Sequence, residues 1–278
     1  MLEINQITFS YGKKKSPVFK DFSLSLKKGS VYGLLGKNGT GKSTLLYLMS
    51  GLLRSQDGCV KYKGEDVSFR RPSVLADLYI VPEEFALPNI SLKKYVSLNM
   101  PFYPKFSEEI LGKCLEIFEM DRNIHLGELS MGQKKKAFMC FALATNTSFL
   151  LMDEPTNGLD IPSKSQFRKV IASSMNDERC IVISTHQVRD IDSLLDHLVI
   201  IDGSDLLLDT SVKNVCERLC FEERPLGETL NDAFYVQPSV HGNSVVCPNV
   251  NGIDTPLNLE LLFNAFFAER KQMKLVFE

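Results

Sequence analysis

Gly36-Lys37-Asn38-Gly39-Thr40-Gly41-Lys42-Ser43 fits the pattern G-x-x-x-x-G-K-[ST] without a gap. The apolar run Val31-Tyr32-Gly33-Leu34-Leu35 stands before it and an apolar helical stretch, Thr44 to Leu53, follows, so the octapeptide reads as a loop between a strand and a helix. Phosphate binding needs that setting. Glycines let the chain wrap so that successive backbone N–H groups face the phosphates, and the helix N-terminus adds its dipole. Lys42 then reaches the β- and γ-phosphates, and the Ser43 hydroxyl ligates Mg²⁺. The loop is read as a nucleotide site lined by Gly36, Asn38, Gly39, Thr40, Gly41, Lys42, Ser43 and Thr44.

Working outward, Phe149-Leu150-Leu151-Met152 is an apolar strand that delivers Asp153 and Glu154 to its end. In that position Asp153 can hold Mg²⁺ through its water shell, and Glu154 can accept a proton from an attacking water. Adjacent acids at a strand end are also common in solvated loops, so the pair alone does not decide. Upstream, Ser130-Met131-Gly132-Gln133 has the Ser-x-x-Gln pattern of a capping box ahead of an apolar helix beginning near Ala137, which predicts a helix N-terminus. Free N–H groups there would face an anion. Lys134-Lys135-Lys136 lies just inside; it would add positive potential, though three solvated lysines are the simpler reading.

The flanking chain alternates strands with helices. Leu2, Ile4, Ile7, Phe9 and then Phe22, Leu24, Leu26 predict two strands around a Gly12 to Lys15 turn. Further strands are expected at Cys59 to Lys63, Asp77 to Val81, Ser148 to Met152, Cys180 to Ser184 and Leu198 to Ile201. Helix is expected from about 91 to 146 and over Ser163 to Met175. Strands spaced by helices imply a parallel sheet with crossovers. Residues 221–278 differ, being broken by Pro225, Pro238, Pro248 and Pro256. They end in an amphipathic helix with Leu259, Leu262, Phe263, Phe266 and Phe267 on one face.

The 278 residues carry a net charge of −2, with 44% hydrophobic and 24% charged residues. That balance is ordinary for a globular chain and gives no electrostatic case for a nucleic-acid partner. The longest apolar run, Ala137 to Ala144, is far below the ~20 residues that span a bilayer. No basic and apolar leader follows Met1, so secretion is not expected. The seven cysteines are scattered. Cys216 and Cys220 fall four apart on an expected helix with no His beside them, so reduced thiols are expected rather than a zinc site.

The phosphate loop GKNGTGKST, the run LSMGQ at 129–133, the block LLMDEPTNGLD at 150–160 and Ile183-Ser184-Thr185-His186 occur together in one order and spacing. With these motifs the chain resembles the ATP-binding cassette (ABC) family over at least residues 2 to 209. The resemblance implies an α/β P-loop NTPase with a RecA-like parallel sheet core, an antiparallel β subdomain and a helical subdomain at about 84–146. It places a nucleotide-binding domain at 1–220 and a small C-terminal extension at 221–278. It further implies an ATPase in which two such domains meet head to tail, each ATP lying between the phosphate loop of one and the signature of the other.

On that basis Ser130, Gly132 and Gln133 would face the partner's γ-phosphate, with Met131 replacing the family's commonest glycine. Tyr11 matches the aromatic that stacks on adenine, although a tyrosine at a hairpin end also suits surface packing. His186 matches the histidine that reaches the γ-phosphate, and Asp160 the loop that passes contacts between the two sites. One position departs from the pattern. Where the family carries a glutamine after the strand Leu78 to Val81, this chain has Glu83, whose carboxylate would ligate Mg²⁺ but repel phosphate. The function implied is that of an ATP-hydrolysing subunit, peripheral at the cytoplasmic face of the membrane, which drives a separate integral-membrane permease. The late acidic-hydrophobic helix resembles that of bacterial two-component exporters, so export is favoured. The second domain is either an identical chain or a paralogue. The alternative is a soluble cassette ATPase, such as the iron–sulfur assembly type.

Overall fold

The computed structural model describes residues 1–12, 15–240, 242–250 and 252–278. The turn expected at Lys13-Lys14 lies outside them. In chain order the elements are β1 (Leu2–Phe9), β2 (Phe19–Leu26), β3 (Ser30–Leu35), α1 (Lys42–Met49), β4 (Asp57–Tyr62), β5 (Glu65–Asp66), α2 (Pro72–Leu75) and β6 (Leu78–Val81). Three helices follow, α3 (Leu92–Asn99), α4 (Glu108–Ile117) and α5 (Met131–Ala144). Then come β7 (Phe149–Asp153), α6 (Ile161–Ser174), β8 (Cys180–Thr185), β9 (His197–Asp202), β10 (Asp205–Ser211) and α7 (Val212–Arg218). The chain closes with β11 (Leu219–Arg224), β12 (Tyr235–Ser239), β13 (Gly242–Pro248), α8 (Leu259–Ala268) and α9 (Arg270–Phe277).

The central sheet has the order β10-β9-β3-β8-β7-β6. Its strands β9, β3, β8, β7 and β6 are parallel, and β10 pairs antiparallel with β9 at the edge. Strands β3, β7 and β8 are buried almost throughout, as a sheet covered on both faces demands. Because β3, β8, β7 and β6 are neighbours running the same way, the loops at their carboxyl ends stand in a row. That end of an open α/β sheet is where ligands bind.

A second sheet, β2-β1-β4-β5, is antiparallel and packs over α1. Its apolar positions skip a beat, Leu2 and Ile4 followed by Ile7 and Phe9. A bulge resolves this, since the register shifts between Ile4 and Ile7 and Gln6 takes a left-handed φ of 48°. The extra residue returns Ile7 and Phe9 to the core face. In the helical region α5 packs on α4, and Phe141 sits among Tyr79, Tyr95, Tyr103 and Phe106.

The C-terminal residues hold more structure than the expected single helix. A three-stranded sheet, β11-β13-β12, precedes α8. Cys216 lies in α7 but Cys220 lies in β11, because the helix stops at Arg218; the two do not share a helix face as expected. Leu259, Leu262 and Phe266 are buried in the same core cluster as the central sheet, and Phe263 and Phe267 pack at its border. The Phe267 ring lies 4.4 Å from Lys37 Nζ of the phosphate loop.

One buried carboxylate clasps the antiparallel sheet, β6 and the helical region together. Asp77 accepts hydrogen bonds from Tyr62 Oη (2.5 Å), Lys63 Nζ (2.8 Å), Lys105 Nζ (2.8 Å), and Ser148 N and Oγ (3.1 and 2.9 Å). Burial alone would raise its pKa, but the bonds from Lys105, Lys63, Tyr62 and Ser148 prevail and hold it well below its ordinary 3.8. A carboxyl depressed in the folded state stabilises fully above its unfolded pKa and loses that contribution as pH falls through the folded value. Asp77→Asn should therefore cost about 2–4 kcal/mol at pH 7. In thermal unfolding, the gap from the native chain should narrow below pH 4. Equal melting temperatures at pH 7 would remove Asp77 from this role.

Candidate functional site

The phosphate loop leaves the end of β3 and enters α1. Gly36 is tightly enclosed, because a Cβ there would stand 2.5 Å from Thr40 Oγ1 and 2.7 Å from the Ile201 carbonyl. Gly41 adopts φ +101° as the N-cap of α1, and a Cβ would meet Phe19 and Val18 at 2.8 Å. Both glycines are thus required by space or conformation. Thr40 Oγ1 donates to the Lys37 carbonyl at 2.8 Å and closes the turn. Lys42 is buried, with Nζ 2.9 Å from the Gly36 carbonyl and 3.2 Å from that of Lys37. Burial lowers its pKa, while the charges of Glu154, Asp153 and Glu83 oppose the shift.

A cleft of about 560 Å³ opens over this loop. Its lining includes Tyr11, Asn38, Gly39, Gly41, Lys42, Ser43, Thr44, Glu83, Glu154 and His186. Residues far apart in sequence, brought by the ends of β3, β6, β7 and β8, thus share one wall. Tyr11 is exposed at the mouth, its hydroxyl 2.9 Å from Thr44 Oγ1 and its ring edge-on to Phe9 at 5.0 Å.

Asp153 ends β7 behind the cleft wall and accepts a 2.5 Å hydrogen bond from Ser184 Oγ. Glu154 turns out of the strand with a left-handed φ of 45°, unusual for a residue with a side chain. Three donors fix its carboxylate. The His186 N–H lies 3.0 Å and His186 Nδ1 2.8 Å from Oε1, and Thr185 Oγ1 lies 3.1 Å from Oε2. The strained backbone and the three donors aim the carboxylate into the cleft facing Lys42 and Ser43.

Other sequence-selected residues stand apart from this cleft. Ser130 caps α5, with Gln133 N donating to Ser130 Oγ (3.3 Å) and Ser130 N to Gln133 Oε1 (3.0 Å), which is the expected capping box. The helix begins at Met131, a turn and a half before Ala137. Ser130, Met131 and Gln133 are exposed, and Gly132 lies against the turn at Gly158, whose carbonyl a Cβ would meet at 3.6 Å. Asp160, also exposed, caps α6 by accepting from Ser163 N at 2.9 Å.

Sequence reading passed over four residues at or beside the site. Val18 and Asn157 line the cleft. Asn157 Nδ2 donates to Glu83 Oε1 at 2.9 Å. Thr185 holds Glu154. Lys135 is not solvated as expected but buried, donating to the carbonyls of Asn157 (2.8 Å) and Glu154 (3.3 Å). Its neighbours three and four residues on, Phe138 and Met139, are core residues, and that helical spacing is the signal that marks Lys135 as inward-facing. Among the described residues no helix is long and apolar enough to cross a membrane.

The family model described as "ABC transporter" matches residues 19–157, half of the chain. The ABC transporter ATP-binding protein YtrB of Bacillus subtilis is 26% identical over 208 residues, covering 74% of this chain and 70% of that protein. The bacitracin transport ATP-binding protein BcrA of Bacillus licheniformis is 28% identical over 213 residues, covering 74% and 68%. Among solved structures, the dimeric ATP-binding cassette MJ0796 in a post-hydrolysis state bound to ADP and Pi is 21% identical with a TM-score of 0.66, covering 76% of this chain and 99% of that one. Its likeness carries the fold: an α/β P-loop NTPase of ABC type, as the central sheet, antiparallel sheet and helical region already indicate. With a phosphate loop, a strand-end acid pair and a capped signature helix on that fold, the chain belongs to the ABC transporter family as an ATP-binding subunit.

Proposed function

We propose that the cleft binds Mg²⁺-ATP and hydrolyses it to ADP and phosphate, and that closure of two such subunits on ATP drives a membrane permease. The observation that carries this reading is the Glu154 carboxylate, fixed by His186 and Thr185 opposite Lys42 and Ser43. Lys42 and the loop N–H groups would hold the β- and γ-phosphates, and Tyr11 would stack on adenine. Ser43, Asp153 and Glu83 offer the hard oxygen ligands that suit Mg²⁺, which would neutralise phosphate charge. Glu154 would take the proton of the attacking water while His186 binds the γ-phosphate and orients that carboxylate. With His186 donating through Nδ1 to Glu154, the pair would work as one unit.

The signature residues Ser130 and Gln133, exposed at the start of α5, and the half-buried Gly132 between them are absent from the chain's own cleft and suit an ATP held by a second subunit. Asp160, on the adjoining loop, would pass contacts between the two sites. The dimeric cassette to which the fold is similar supports this arrangement. Relatives named for transport support a permease partner and favour the transport reading over the iron–sulfur assembly alternative. Export rests on the likeness of the late acidic-hydrophobic helix to that of bacterial two-component exporters; we treat residues 221–278 as an extension of the 1–220 cassette, with α8 packed into the cassette's core. A location at the cytoplasmic face of the membrane follows if the permease is the partner.

Copurification tests the whole reading. Tagged Glu154→Gln chain, held with ATP and Mg²⁺, should bring down a polytopic membrane protein at matching stoichiometry from detergent-solubilised native membranes. A soluble partner instead would overturn transport while leaving the cassette chemistry in place.

A further inference from the structure

Two lysines are buried among the described residues, Lys42 and Lys135, and both are acted on by the same three carboxylates, Glu83, Asp153 and Glu154. Lys42 lies in the phosphate loop. Lys135 lies on the second turn of α5 and was read from the sequence only as one of three solvated lysines. Of the three acids, Glu83 acts on it most strongly. Its ammonium binds both ends of the turn Glu154 to Asn157, a turn closed by the Asn157 N–H donating to the Glu154 carbonyl at 3.2 Å. Asn157 in turn donates through Nδ2 to Glu83. A continuous line thus runs from Lys135 through Asn157 to the Glu83 carboxylate at the edge of the cleft.

We propose that Lys135 is a positioning residue for ATP hydrolysis: it fixes the turn that aims Glu154 and supplies the internal counter-charge that lets Glu83 face a triphosphate. This rests on the reading of the cleft as an ATP site and deepens it. With Lys135 present, three carboxylates face two ammonium groups, and the remaining imbalance is small enough for Mg²⁺ to offset. Without its charge, two negative charges stand uncompensated where an anion must enter, in a setting that screens them poorly. The charge matters because Glu83 carries one. Neutralising Glu83 should therefore make the Lys135 charge largely dispensable for nucleotide affinity, and a residue that served packing alone would show no such dependence.

The test is a double-mutant cycle on the full chain, read as the dissociation constant of a fluorescent ATP analogue with Mg²⁺ and as steady-state turnover. Lys135→Gln keeps a donor near the Asn157 carbonyl and removes the charge. Against the native background it should weaken nucleotide affinity about 10-fold or more. In the Glu83→Gln background the same change should cost less than about 3-fold. Equal losses in both backgrounds, or no loss in either, would overturn the proposal. Should Lys135→Gln alone fail to fold, a folded, nucleotide-binding Lys135→Gln/Glu83→Gln chain would still support it, and a double variant that also fails would refute it. A native chain that binds no ATP would remove the cleft assignment and this inference together. One that binds ATP normally while the cycle shows no coupling removes only the inference.

Discussion

Glu154→Gln should bind ATP as tightly as the native chain and turn it over at least ~10²-fold more slowly. The two side chains have the same shape, so the amide oxygen can keep the hydrogen bond from the His186 N–H, while the amide NH2 takes the place of the other oxygen and can donate to Thr185 Oγ1 once that hydroxyl turns. What disappears is the basic oxygen. An amide cannot take the proton that water loses as it attacks phosphorus, and ~10²-fold corresponds to about 2.7 kcal/mol of barrier. Binding survives because Glu154 bears a negative charge in a cleft that receives an anion, so neutralising it lowers repulsion towards the γ-phosphate. The combination of held affinity and lost turnover should leave the ATP-bound dimer accumulating on size exclusion with Mg²⁺-ATP. An unchanged hydrolysis rate would mean that another group takes the proton. A parallel loss of affinity would mean that the substitution disturbed the turn rather than the chemistry.

The chain declares some of this site openly and hides the rest, for physical reasons. A phosphate loop is local: its glycines, lysine and serine lie within eight residues, and the strand and helix that frame it are adjacent in sequence. The acid pair at the end of β7 and the capping box of α5 are likewise contiguous, so spacing alone exposes them. The grouping of Glu83, Glu154 and His186 is a property of strand order, and here the family resemblance carried what periodicity could not. Asn157 and Lys135 were missed because their roles are set by side chains from other elements. A Lys in a run of three reads as solvent-exposed unless the helix is phased from Phe138 and Met139. The C-terminal strands were missed for a related reason. Prolines at 225, 238 and 248 made that stretch look irregular, yet β12 and β13 accommodate Pro238 and Pro248 within a sheet of only three strands. The bulge at Gln6 is marked by the broken alternation of Leu2, Ile4, Ile7 and Phe9, although those residues were read only as a strand.

Lys42→Ala should lower affinity for Mg²⁺-ATP about 30-fold or more while leaving the fold intact. The ammonium is the one buried cation within the phosphate loop, and a charge-assisted hydrogen bond to phosphate is worth roughly 2–3 kcal/mol. Its removal also withdraws the counter-charge that Glu154, Asp153 and Glu83 share, so the triphosphate would meet those carboxylates with less relief. The loop should keep its shape without it. Thr40 still closes the turn on the Lys37 carbonyl, and Gly36 and Gly41 still hold the backbone against Ile201, Val18 and Phe19. The melting temperature of the nucleotide-free chain should therefore move by no more than about 2 °C. Added ATP should raise the melting temperature of the native chain and leave that of the variant nearly unmoved, because a ligand stabilises only in proportion to its occupancy. Glu154→Gln and Lys42→Ala are opposite tests of one cleft, the first separating chemistry from binding and the second removing binding itself. If Lys42→Ala bound ATP with native affinity, the triphosphate would not lie along this loop, and the assignments of Ser43, Glu154 and His186 around its γ-phosphate would fall with it.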